Sequence, residues 1–317
     1  MRNFIQKIIG LIFRYSLGLV YKKLNRSLTI FVFHDISDYP SKFAQQHSLA
    51  ISLESFTRQI EWIKSKYEIV HPSSLLEVKN MPFNAAIISF DDGFLGSFEN
   101  GLRILEKLDV PSIFFLNMQA ILEQKPIASA AACYIEKYVP EFKDFSKKHK
   151  ILSPLHLTLT PSILNLFENE HGAIDENLIM EYQGKFADIS VLEKWDNKEL
   201  VVFGNHLFDH WNVAALSSKE LKEQYMKNEI ALSQFKNSIN FFAFTNGQPE
   251  ICFTKRDVAF IKNMGAAKVF SAAGGVNRNP TDFLLTRMSL HEKDRDEDYI
   301  WFRLGRKLLN ELLHKNL

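Results

Sequence analysis

The run Asn84-Ala85-Ala86-Ile87-Ile88-Ser89-Phe90 is almost continuously apolar, then stops at two adjacent acids, Asp91-Asp92, and a glycine. This is the pattern of a strand buried on both faces, as in a parallel sheet. After Gly93 the period changes, with Phe98, Leu102, Leu105 and Leu108 recurring at helical spacing. Val110-Pro111-Ser112-Ile113-Phe114-Phe115-Leu116 then reads as the next strand. Strand, helix and parallel strand make a βαβ unit, which sets both acids at the carboxyl end of its first strand. Ligands and chemistry gather at that end in α/β folds. Two carboxylates buried there would need a metal or another strong positive partner. Taken alone, Asp-Asp-Gly fits a surface turn equally well.

A second run has the same setting. Leu200-Val201-Val202-Phe203 is a short apolar strand, Gly204-Asn205 ends it, and His206 and His210 follow. A helical turn starting here would aim both imidazoles the same way; the alternative is a pair of partly exposed helix residues. Together the runs supply enough ligands for one divalent metal and leave one carboxylate over as a base. That is equipment for hydrolysing an amide or an ester.

Ser89 to Gly93 match the motif [ST]-F-D-D-G in full, and Gly204 to His210 match H-[ST]-x-x-H, often preceded by Gly-Asn or Gly-Ser, except that Leu207 replaces the hydroxyl residue. Thr29 to Ile36 look like an opening Tyr-His-x-Ile strand, Phe56 to Ile63 like a first helix, and Phe241 to Gly247 like a Phe-Ala-Tyr-Pro-x-Gly strand. On these residues, over roughly 28 to 295, the chain resembles the polysaccharide deacetylases, the chitooligosaccharide-deacetylase homology domain of carbohydrate esterase family 4. The resemblance implies a distorted parallel (β/α)7-type barrel. It implies Asp92, His206 and His210 as metal ligands and Asp91 as the base that deprotonates the attacking water. The oxyanion would be met by the metal and a backbone N–H near Thr245, Asn246 and Gly247. Zinc is the expected ion, with cobalt, nickel and iron compatible with the same ligands.

Leu284 to His291 suggests a last strand in which positions 287, 289 and 291 share a face. By resemblance, Arg287 would buttress Asp91 and His291 would protonate the leaving amine; the other reading is an edge strand with two solvated polar residues. His34 would line the pocket or make a structural hydrogen bond. His47, His71, His149, His156, His171 and His314 are expected at the surface or its boundary. Three positions depart from the family pattern: Leu207 for a hydroxyl residue, Trp211 for Pro and Thr245 for Pro.

Residues 29–296 are expected to form the catalytic domain, with a helical insertion over about 118–198 beside the barrel mouth as a lid or part of the groove. Its aromatics, Tyr134, Tyr138, Phe142, Phe145, Phe167 and Tyr182, would stack on sugar rings or fill a core. Ser217-x-x-Glu220 and Thr254-x-x-Asp257 read as helix starts, and 297–317 as a C-terminal amphipathic helix.

Residues 1–28 interleave Arg2, Lys7, Arg14, Lys22, Lys23 and Arg26 with apolar residues, and no acid precedes Asp35. Arg14 breaks the apolar run, which falls short of the ~20 residues that span a bilayer, and no signal-peptide cleavage site follows. The segment fits a basic amphipathic helix on the inner membrane surface, a helix packed outside the barrel, or an uncleaved anchor. The localisation expected is cytoplasmic, or peripheral on the cytoplasmic membrane face. A net charge of +1 gives no electrostatic case for nucleic acid. Cys133 and Cys252 have no metal-type spacing.

The sequence thus points to a metal-dependent hydrolase removing N-acetyl groups, or O-acetyl or N-formyl groups, from sugars of a surface polysaccharide or its lipid-linked precursor. The competing expectations are an amidase or deformylase of the same fold on another C–N bond, and an inactive membrane-associated partner in polysaccharide assembly.

Overall fold

A computed structural model describes residues 2–21, 27–78, 81–82 and 84–314. Its strands are β1 (Ser27–Phe33), β2 (Asp35–Ile36), β3 (Ala50–Ile51), β4 (Glu68–Ile69), β5 (Asn84–Asp92) and β6 (Ser112–Leu116). β7 (Val201–Asn205), β8 (Ser238–Ala243), β9 (Lys268–Ser271), β10 (Leu284–Thr286) and β11 (Met288–Ser289) follow. Eight of them form one parallel sheet in the order β10-β9-β8-β7-β6-β5-β1-β11, curled into a nearly closed barrel. β4 adds to the start of β5, below the point where β6 begins to pair, and β2 and β3 form a separate parallel pair.

Closure depends on one stretch of chain. β10 pairs with β9, the chain passes through Arg287, and β11 pairs with β1 at the opposite edge. Below the crossing, Asn277 fills the gap, bridging Leu28 in both directions while its side chain holds both Thr286 backbone groups.

Side-chain alternation sorts each strand into an inner and an outer set. Leu28, Ile30, Ala85, Ile87, Ile113, Phe115, Val202, Phe241, Ala243, Phe270 and Leu285 form one buried cluster, filling the barrel. The intervening residues, among them Phe31, Phe33, Ile88, Phe90, Phe114 and Phe203, pack against the outer helices. The inner parity carries on past each apolar layer, through Ser89 to Asp91 on β5 and from Leu285 to Arg287 after β10. The apolar filling is therefore the floor beneath the polar groups at the carboxyl ends. Gly204 belongs to this layer, because a Cβ there would strike the Phe115 ring.

Between β6 and β7, from Met118 to Glu193, the chain forms a series of short helices joined by loops, with one isolated bridge from Phe186 to Phe94. Phe167 packs edge to face on Phe142 and Phe145 in its core, and Tyr134, Tyr138 and Tyr182 cluster together. These aromatics hold the helices to one another, and none lines the cavity at the carboxyl ends of the strands. Ser217 and Thr254 both close capping boxes, opening helices Ser218–Leu232 and Lys255–Asn263.

The N-terminal helix, Arg2–Tyr21, lies along the C-terminal helix, Glu297–His314. Gly10 meets the Asp298 backbone and Phe13 lies on Gly305, two contacts that larger residues would block. Lys7 pairs with Asp296 at 2.5 Å and Arg14 with Glu297 at 2.6 Å. The C-terminal helix in turn buries Ile300, Trp301 and Leu304 against the barrel's helices. Lys22, Lys23 and Arg26 of the basic segment lie outside the described residues. Among the described residues no helix is long and apolar enough to cross a membrane.

Candidate metal centre and catalytic pocket

A cavity of about 250 Å³ opens at the carboxyl ends of the strands. His34 after β1, Asp91 and Asp92 on β5, His206 and His210 after β7, Asn246 after β8, and Arg287 and His291 from the closing segment all line it. Residues scattered over 257 positions of sequence thus converge because each follows a strand of one barrel.

The two acids are satisfied in different ways. Arg287 grips Asp91 with both terminal nitrogens, Nη1 to Oδ1 at 2.5 Å and Nη2 to Oδ2 at 2.7 Å. The guanidinium is fully buried and lies over the Phe115 ring, 5.0 Å from its centroid. Burial alone would push the Asp91 carboxyl up, but Arg287 and His206 outweigh it and hold it below the usual range. Asp92 has no arginine. Its backbone is forced into the left-handed region (φ 72°), which swings the carboxylate toward the histidines. Burial again opposes ionisation, and His210 and His206 overcome it.

Asp92 Oδ1 is buried without a hydrogen-bond partner. His210 Nε2 lies 3.3 Å from it and His206 Nε2 3.4 Å. His206 Nδ1 faces the Ala243 carbonyl at 2.8 Å and donates to it, so the lone pair sits on Nε2, toward Asp92. The ligand atoms of Asp92, His206 and His210 lie within 4.8 Å of one another, the one such group among the described residues. An unpartnered carboxylate oxygen converging with two imidazole nitrogens fits a divalent cation, and the anchored His206 has the outer-shell support such ligands use. Burial lowers the His210 pKa to about 4, so this ring can be neutral where a metal would need it so.

The expected helical turn at the histidines does not form. Residues 206–210 are a loop, because Leu207 takes a left-handed φ of 64° that a helix cannot accommodate. Polar neighbours hold this loop. Asn205 Oδ1 accepts from the Leu207 N–H, and Asn117 donates to the His206 and Leu207 carbonyls. Asp209 accepts from the N–H groups of Ala128 and His210. Asn228 ties the elements together, donating to Leu116 O and Asn205 Oδ1 and accepting from Met118 N. The rings still meet, their centroids 5.1 Å apart. Asn117, Asn228 and Asp209 carry no motif signature, and only their buried carboxamides and carboxylate identify them.

The three residues expected around the oxyanion separate. The Thr245 hydroxyl is buried against the Trp211 carbonyl at 2.5 Å, so two of the three family departures bond to each other. The Gly247 N–H is taken by Thr245 O. Only Asn246 reaches the cavity, its Nδ2 buried without a partner. Leu207 packs into an apolar cluster with Trp211. His291 lines the pocket with Nδ1 donating to Ser48 O at 3.0 Å.

Two histidines expected at the surface, His47 and His156, also line this cavity, with Ser129 and Cys133 from the helical region. Their rings lie 6.2 Å apart, and burial depresses both pKa values. A link between positions more than a hundred residues apart had no local signal.

A family model described as polysaccharide deacetylase matches residues 79–268. None of the curated proteins compared matches the chain. Among solved structures, IcaB from Ammonifex degensii superposes with a TM-score of 0.58 at 15% identity, over 88% of this chain and 97% of that one. The Streptococcus pyogenes deacetylase PplD, in complex with acetate, gives 0.58 at 11% identity over 88% and 99%. The BpsB deacetylase domain from Bordetella bronchiseptica gives 0.51 at 13% over 84% and 96%. At these identities the likeness is one of fold.

Proposed function

The chain belongs to the polysaccharide deacetylase family, and from that premise we propose that it is a metal-dependent hydrolase that removes N-acetyl groups from sugars of a surface polysaccharide or its lipid-linked precursor. The observation that carries this reading is the orphaned Asp92 oxygen facing two imidazole nitrogens, with a second, arginine-held carboxylate beside it. Asp92, His206 and His210 hold the ion, with zinc first and cobalt, nickel or iron suited to the same donors. When bound, such an ion polarises an acyl oxygen and lowers the pKa of a water to ~7.

The remaining steps fall to the chain's own residues. Asp91 accepts the proton of the attacking water as the water oxygen bonds to the acetyl carbon. Arg287 keeps Asp91 ionised and fixes the plane of its carboxylate. Asn246, with an unsatisfied buried amide, donates to the oxygen on which charge develops. His291, when protonated on both nitrogens, delivers its Nε2 proton to the sugar nitrogen as the C–N bond breaks, leaving acetate and a free amine, and the proton held by Asp91 passes to solvent to restore the site. Ser48 O sets the tautomer and angle of that ring. His34, His47 and His156 form the wall against which the sugar rests.

The N-terminal helix completes the proposal. Phe4, Ile5, Ile8, Leu11, Ile12 and Tyr15 are exposed on the side away from the C-terminal helix. An apolar face of this kind beside basic residues suits a lipid surface.

Acetate release from N-acetylated oligosaccharides, with zinc or cobalt added, tests the core of the reading. Release should require metal and collapse in Asp91→Asn. A protein that takes up one metal equivalent and still releases nothing from acetylated or formylated sugars would overturn it.

A further inference from the structure

A second cavity, about 430 Å³, adjoins the catalytic one across Gln248, Ala272, Ser289 and His291. Its outer wall is the C-terminal helix and the turn before it, which contribute Lys293, Arg303, Arg306 and Lys307. The acids nearby are already engaged. Asp294 pairs with Arg303 at 2.8 Å, Asp296 with Lys7, and Glu297 and Asp298 with Arg14. Among the described side chains, which do not include Glu311, Lys293, Arg306 and Lys307 make no ion pair. Lys7 and Arg14 of the N-terminal helix thus offset two of the three acids at the start of its partner helix, and in the cavity lining Asp294, the one acid, is held by Arg303.

We infer that this cavity holds a phosphate or diphosphate group carried by the same molecule whose acetyl group enters the catalytic cavity. The inference rests on the deacetylase reading and narrows its substrate to a phosphate-bearing N-acetyl sugar. A concave, basic wall concentrates anions, and an arginine fork with flanking lysines matches phosphate oxygens. A wall carrying Lys293, Arg306 and Lys307 suits a group of two or three negative charges better than a single carboxylate. The shared wall means that one ligand can span both cavities, sugar at His291 and anion at Arg306. The anion has two sources: a prenyl diphosphate anchor, consistent with the apolar face of the N-terminal helix, or a nucleotide diphosphate.

Calorimetric titration of the chelator-treated chain, in which turnover does not compete, tests this. The ligands are N-acetylhexosamine, its short-prenyl diphosphate, nucleotide diphosphate and uronate conjugates, and inorganic diphosphate alone. Both diphosphate conjugates should bind about tenfold or more tightly than the neutral sugar. That advantage should shrink as salt rises and collapse toward unity in Arg306→Gln/Lys307→Gln. The ratio of prenyl to nucleotide affinities names the source, and either ranking sustains the site. A uronate or neutral sugar binding as tightly as the diphosphates, or an advantage indifferent to the substitutions, overturns it. The salt response of the wild type carries the test if the double variant misfolds. Intact diphosphate binding, with no acetate released from the same conjugates once zinc or cobalt is restored, would count against the deacetylase reading instead.

Discussion

Replacing Arg287 by Met should expose how much of the barrel's stability is tied to its active-site charge. Arg287 is fully buried, and the Asp91 carboxylate it grips is nearly so. Methionine fills much of the same volume over Phe115 but leaves Asp91 without its two donors. Removing one partner of a buried, hydrogen-bonded pair costs about 3–5 kcal/mol, mostly because the other charge is stranded. Arg287→Met should therefore lose about that much in urea unfolding at pH 8 with chelator present. Arg287→Met/Asp91→Asn should recover to within about 1 kcal/mol of Asp91→Asn alone. The pH dependence follows from the sign of the shifts. In the wild type the Asp91 pKa is depressed, so its contribution exists above the unfolded carboxylate pKa and fades as pH falls. Without Arg287, burial acts with less opposition and raises it, so the variant's deficit grows from pH 4 to pH 8. Arg287→Lys, a point charge in place of a fork, should fold better than the methionine variant yet lose at least about tenfold in kcat. A deficit under about 1 kcal/mol, or one equal at both pH values, would refute the argument.

Asp92→Ala and His210→Ala should each weaken metal affinity at least about a hundredfold, read as metal content after dialysis; full retention by either would remove it from the ligand set. Asn228→Ala strands Leu116 O, Met118 N and Asn205 Oδ1 and should cost about 2–4 kcal/mol in denaturation, with a weakened metal site. Burial raises the Asp35 pKa to about 6, the Ile36 N–H opposing it, so its folded form favours the proton. Its stabilisation is complete below the unfolded value near 4 and lost as pH rises through 6, a swing of about 3 kcal/mol. Asp35→Asn should therefore gain relative to wild type between pH 4 and pH 7.5, and a constant offset would contradict the assignment. Ile8→Glu/Leu11→Glu should reduce partitioning onto anionic vesicles at least about tenfold, while unchanged flotation would leave the helix a purely structural brace.

The strand alternation and both motifs were legible because each depends on residues adjacent in sequence. The run ending at Asp91-Asp92 announced a buried strand, and its apolarity left nothing else for a chain of that pattern to become. The i, i+4 spacing of His206 and His210 suits a turn of helix and the observed loop alike, so spacing does not separate the two conformations. What decides between them is the left-handed φ of Leu207, fixed by Asn117, Asn205 and Asp209. His47 and His156 looked like surface residues because the small β2–β3 region and the helical region meet only in the folded state. Thr245 and Trp211 read as separate departures, whereas each accounts for the other: a hydroxyl at 245 caps the carbonyl at 211. The strand expected over 284–291 is two half-strands serving opposite edges, a division that pairing alone reveals.

That divided strand has a consequence for how the protein is made. Arg287 follows Asp91 by 196 residues, and at 5–20 residues per second a ribosome needs about 10–40 s to travel between them. Throughout that interval the nascent chain already contains β5, but the barrel has an open edge and Asp91 has no guanidinium. Emergence of one short segment then joins the two edges and neutralises the acid together. A partly synthesised chain therefore has neither a finished sheet nor a paired Asp91, and under the proposed mechanism hydrolytic competence would arrive only with architectural completion.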